Sequence, residues 1–171
     1  MSSKWIPVIA AAAVLAVAPR VHAQDHTVKT PNDIQWGDAP PVLPKGAKMA
    51  VMFGDPSKSG LFIVRLKMPA KYKIMPHWHP SDENVTVLSG ALAIGMGDAI
   101  DAKTKAQPVG SFFSLPAKMH HYAFTKKATV IEVAAMGPFA ITYINPADDP
   151  SKAPAEPAKP EAAKTPPKKA N

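Results

Sequence analysis

The sequence predicts an all-β sandwich or barrel, and three observations carry that expectation. Apolar segments of five to eight residues recur at short intervals between residues 47 and 144. Gly and Pro punctuate them, and no run of ten residues keeps a helical period. There is no cysteine, so stability must come from an apolar core, and about a hundred residues suffice for one.

The elements follow in chain order. Residues 1–23 read as a secretory signal peptide: Lys4 supplies the positive start, Trp5 to Ala18 are uncharged and mostly apolar, and Val21-His22-Ala23 offers a cleavage site before Gln24. An apolar run this short falls below the roughly 20 residues that a membrane span needs, so no stable span is expected. Export to the periplasm or medium is. Residues 24–46 carry Pro31, Pro40, Pro41 and Pro44 with few periodic apolar positions, which predicts an extended arm.

The barrel is expected over 47–146. Ala47 to Phe53 is a strand closed by the turn residues Gly54-Asp55-Pro56-Ser57, and Leu61 to Met68 is a strand stopped by Pro69. Lys73 to His79 and Glu83 to Leu88 come next, then a turn at Ser89-Gly90 and a strand from Ala91 to Met96. A polar loop at 98–109 leads to Ser111–Leu115, a turn at Pro116, and strands at His120–Phe124, Thr129–Ala135 and Phe139–Ile144. From Ala147 to Asn171 no apolar residue is larger than alanine. Such a segment has nothing to bury against the entropy of ordering it, so a disordered Pro/Ala/Lys-rich tail is expected.

The formal charge of +7 sits mostly at the ends. Lys4 and Arg20 lie in the leader, residues 151–171 add five Lys against two Glu, and residues 24–150 hold thirteen basic against eleven acidic side chains. No basic patch with interleaved aromatics appears, which argues against nucleic acid as a partner.

The chemistry concentrates in His77-Trp78-His79-Pro80-Ser81-Asp82-Glu83. Two histidines one residue apart project to the same side of a strand, and Glu83 has the same parity if Pro80 only kinks the chain. Two imidazoles and a carboxylate make a partial shell for a divalent metal. Removal of the leader leaves His26, His77, His79, His120 and His121, and no thiolate is available. His121 and His120 lie about forty residues on; strand parity sends one inward and the other outward. Asp82 reads as a turn residue. Seven methionines outside the leader keep copper among the candidates, although Met more often fills core gaps.

These residues resemble the cupins, double-stranded β-helix (jelly-roll) barrels. The first cupin motif, G-x5-H-x-H-x3,4-E-x6-G, is met by His77, His79, Glu83 and Gly90, with Lys71 at the leading glycine. The second, G-x5-P-x-G-x2-H-x3-N, is met by Gly110, Pro116 and His121, with Lys118 at the glycine and Thr125 at the asparagine. The resemblance covers about residues 60–145. It implies that His77, His79, Glu83 and His121 hold one divalent transition metal ion (Fe, Mn, Zn, Ni or Cu), with His120 outside the barrel.

Function is then expected to be that of an exported mononuclear metal-binding cupin acting on a small organic molecule, through oxygenase-, decarboxylase- or isomerase-type chemistry. The alternatives are a binding or sensing module without turnover and a barrel whose metal only stabilises the fold. No catalytic acid or base is named by the sequence. The resemblance also implies pairing of N-terminal strands in a homodimer, with which the arm and Leu61–Met68, taken as an exposed edge, are compatible.

Overall fold

The computed structural model describes residues 26–152. The expected leader, and the expected tail beyond Lys152, lie outside the described residues. Eleven strands occur in chain order: β1 (Gly37–Asp38), β2 (Lys48–Phe53), β3 (Gly60–Met68), β4 (Lys73–Trp78), β5 (Glu83–Ser89), β6 (Ala91–Met96), β7 (Gln107–Pro108), β8 (Phe112–Leu115), β9 (His121–Thr125), β10 (Thr129–Gly137) and β11 (Thr142–Tyr143). Short 3-10 turns stand at Pro31–Asp33, Pro146–Asp148 and Pro150–Lys152. Among the described residues, no helix is long and apolar enough to cross a membrane.

The strands form two antiparallel sheets, ordered β1-β2-β3-β10-β5-β8 and β11-β4-β9-β6-β7. Alternation decides which side chains meet between them. Phe62, Val64, Leu66 and Met68 of β3, Val85 and Val87 of β5, and Ile131, Val133 and Ala135 of β10 face inward. Ile74, Leu92 and Ala123 oppose them from the second sheet. Burying each large aliphatic or aromatic side chain contributes about 1.5–3 kcal/mol, so this inner layer is the main source of stability.

A smaller cluster of Ala93, Tyr122 and Phe124 lies apart from the main core, with Ile100 and Ala106 packed on it. The loop between β6 and β7 is tied there: the Tyr122 hydroxyl accepts from Asp101 N at 3.0 Å and bonds Thr104 Oγ1 at 2.7 Å.

Two expectations about elements need correction. Leu61–Met68 is not an edge. Its strand β3 runs between β2 and β10, with both ladders made, so its backbone has no free row to offer a second chain. The segment Phe139–Ile144 is not a full strand; only Thr142–Tyr143 pairs, with β4. The Phe139 amide goes instead to Pro56 O, and the Ala140 carbonyl accepts from a histidine ring.

The arm is folded onto its own barrel. Gly37 and Asp38 pair with Met49 and Lys48, and Ala39, Val42 and Leu43 pack against the core. Two buried phenols hold it: Tyr72 donates to Pro44 O at 2.6 Å, and Tyr143 donates to Val42 O at 2.8 Å. Burial pushes both hydroxyls up, with Tyr143 adding to the effect at Tyr72 and Asp149 and Asp148 to that at Tyr143, so both stay protonated donors.

Candidate metal centre

His77 and His121 are register partners on adjacent strands, β4 and β9. The β4–β9 ladder shifts register between Ile74 and His77, which lets these two residues, three apart, both face the interior. His79 lies just past the end of β4. The chain then crosses to the other sheet, and Glu83 opens β5 there. Glu83 therefore meets the histidines from the facing sheet, and not by shared parity along a single kinked strand. The corner is anchored by Asp82 Oδ1, which accepts from Ala117 N at 2.8 Å, and by His79 O, which accepts from Lys118 N at 2.8 Å.

The three imidazoles converge. Each offers a ring nitrogen, and these atoms all lie within 4.8 Å of one another. The rings are only 3–4% exposed. Their outer nitrogens point at backbone carbonyls: His77 Nδ1 to Met75 O at 2.7 Å, His79 Nδ1 to Ala140 O at 2.8 Å, His121 Nδ1 to Met119 O at 2.9 Å. A carbonyl can only accept, so each Nδ1 carries a proton, which leaves each Nε2 turned toward the others and free to offer its lone pair to a cation. Phe139 stacks on His79 with centroids 4.3 Å apart and fixes that ring from its far side.

Glu83 Oε2 sits 3.5 Å from His79 Nε2 and 3.4 Å from His121 Nε2. His79 Nε2 is buried and has no hydrogen-bond partner. Lone pairs and a carboxylate aimed at one point repel unless positive charge lies between them. Burial pushes the Glu83 carboxyl up, but the His121 and His79 rings beside it outweigh that and hold the group down, at about 2. That effect requires protons, or a cation, on the facing nitrogens. Burial, then repulsion from His121 and His79, lowers His77 to about 3, which keeps it a neutral ligand at ordinary pH. The donor set thus fits a divalent cation bound by imidazole and carboxylate.

All four residues line one cavity of about 210 Å³. The rest of its wall is apolar, with Phe62, Val64, Leu66, Ile94, Val133 and Ile141 among the contributors. Pro40, Val42 and Leu43 of the arm close part of it. Sequence reasoning missed this use of the arm and the stacking role of Phe139. The prolines of 24–46 signalled extension without saying where the arm would lie. His120 stands apart, exposed, with Nδ1 2.6 Å from Asp98 Oδ1.

The two lysines that depart from the motif glycines are the positive-φ non-glycine residues among those described, Lys71 at 63° and Lys118 at 64°. The turns keep the left-handed backbone despite the side chain. Thr125, in place of asparagine, clamps the first of these turns: its hydroxyl donates to Pro69 O at 2.7 Å and accepts from Tyr72 N at 3.0 Å.

Residues 17–142 match the family model described as a domain of unknown function, DUF4437. The chain belongs to the DUF4437 family. No curated protein matches the DUF4437 chain. Solved structures match it with probability 1.00. The polyketide cyclase RemF of Streptomyces resistomycificus is 14% identical, with TM-score 0.62 over 74% of this chain and 91% of that one. A candidate acetylacetone dioxygenase of Methylibium petroleiphilum is 14% identical, with TM-score 0.55 over 75% and 88%. An RmlC-like cupin of Shewanella frigidimarina is 13% identical, with TM-score 0.52 over 66% and 92%. At these identities the likeness shows the fold alone: this DUF4437 chain has the cupin fold that its two motifs imply.

Proposed function

We propose that the protein is a mononuclear metal-dependent cupin that acts on a small organic molecule, with His77, His79, Glu83 and His121 as the metal ligands. The observation that carries this reading is the convergence of three imidazole nitrogens, with the Glu83 carboxylate beside two of them, in the wall of an apolar cavity. The ion would serve as Lewis acid and template for a bound oxygen group. The chain supplies the rest: backbone carbonyls orient the rings, Phe139 holds His79, and an apolar wall surrounds the site. The similar folds include proteins named as a polyketide cyclase and a candidate dioxygenase, which is compatible with small-molecule chemistry but does not choose a reaction.

One observation favours a second reading, a binding or sensing module. Among the described residues, the four candidate ligands are the titratable side chains in the cavity wall, with no separate acid or base beside them. The first 23 residues support export, with a mature chain beginning at Gln24. The deciding experiment is elemental analysis of the mature chain recovered from a bacterial periplasm, beside a His77→Ala/His121→Ala control. About one transition-metal ion per chain, absent from the control, is the expected result. A chain that carries no metal and takes none up on reconstitution would overturn the proposal.

A further inference from the structure

Resting on that metal reading, we infer that the site selects a largely apolar, singly charged anion whose oxygen head meets the metal, and rejects sugars, phosphates and polycarboxylates. Three features of the cavity converge on this class.

The first is charge. With each Nδ1–H on a backbone carbonyl and each Nε2 lone pair on the metal the three imidazoles are neutral, so with one carboxylate and a divalent ion the buried site carries a net charge of +1. A monoanion cancels it. A neutral ligand leaves a buried charge unbalanced, and a dianion introduces a second one. Among the described residues, no Lys or Arg lines the cavity to take a second negative charge.

The second is the wall. Beyond the four ligands, its side chains are apolar, among them Val42, Leu43, Met49, Leu92, Ile131 and Phe139. A hydroxyl placed against them finds no side-chain partner and loses its bonds to water. Each such group is expected to lower affinity by roughly tenfold, which excludes a polyhydroxylated ring.

The third is size. An apolar protein cavity of about 150 Å³ accepts benzene. The 210 Å³ here therefore suits a substituted six-membered ring with a small oxygen head.

The test uses the full mature chain loaded with Co(II), whose visible spectrum reports ligands entering the metal's coordination sphere, together with calorimetry. Four probes separate the three features: benzoate, its neutral counterpart benzyl alcohol, the dianion phthalate, and the hydroxylated monoanion glucuronate. Benzoate is expected to shift the cobalt spectrum and to bind at least tenfold tighter than benzyl alcohol or phthalate, and at least a hundredfold tighter than glucuronate. Leu43→Lys, a half-buried change on the arm that adds one cation to the wall, is expected to move the preference toward phthalate, with a melting curve as the check on folding. Glucuronate or phthalate binding as tightly as benzoate would overturn the inference while leaving the metal centre standing. Failure to take up Co(II) at all would overturn the metal reading first, and the ligand class with it.

Discussion

Glu83 has opposite effects with and without an ion. Bound to metal, its carboxylate supplies charge that imidazoles lack; without metal, it faces nitrogen lone pairs at 3.4 and 3.5 Å. Glu83→Gln replaces one oxygen by an amide that can donate to those nitrogens, including the otherwise orphaned His79 Nε2. The variant is expected to weaken metal affinity by about a hundredfold or more, on the scale of losing a charged ligand. Its metal-free form should be more stable than wild type by about 1 kcal/mol. Competitive chelator titration and urea unfolding of the metal-free proteins check the two signs. His77 gives a pH dependence. Its folded-state value, about 3, lies below the ordinary 6.5, so between them the unfolded chain binds a proton that the folded chain refuses. Its contribution is complete above about pH 6.5 and is lost as pH falls toward 3, on the order of a few kcal/mol. Melting temperatures of metal-free protein at pH 7.5, 5.5 and 4.5 should fall in that order, and His77→Phe should flatten the trend. Much of this site was legible in the residues. The H-x-H spacing, Glu83 and the choice of His121 over His120 all follow from alternation and motif distance. The crossing of Glu83 to the facing sheet was not, because strand parity is silent about where a chain leaves its sheet.

At the scale of elements, the turns carry more of the specification than the strands. Lys71 and Lys118 pay for a left-handed backbone that glycine adopts freely. Lys118→Gly, in the turn whose amide binds His79 O, is expected to raise stability by about 0.5–1 kcal/mol, net of the added freedom of the unfolded chain. Chemical denaturation checks it, and a destabilised variant would show that the lysine side chain has a compensating contact. Gly90 behaves in the opposite sense. It has φ +79°, and a Cβ there would run into Ala128 O and Thr129. Gly90→Ala should cost about 2 kcal/mol or more, and the strand pair on either side leaves it no room to relax. Strand positions were readable from apolar runs bounded by Gly and Pro. Phe139–Ile144 was overread because an apolar run does not reveal that its backbone groups are committed to Pro56 and His79.

For the whole molecule, the arm covers part of the cavity between two facing sheets, and two hydroxyls fasten it across 28 and 101 residues of sequence. Tyr143→Phe removes the longer-range tie and should cost about 1–2 kcal/mol, since Val42 O loses a buried donor. Its melting curve is the check, and an unchanged midpoint would mean that packing alone holds the arm. The enclosure also has a kinetic consequence. Rings already hooked to carbonyls would need no rearrangement to receive an ion, and at 3–4% exposure they would leave a bulky chelator little direct access to it. Escape of a bound ion would then wait on a motion of the protein, and the stripping rate should climb with chelator concentration only to a plateau. That plateau is the opening rate itself, so a colorimetric chelator becomes a clock for the motion of the arm, and Tyr143→Phe should make it run faster.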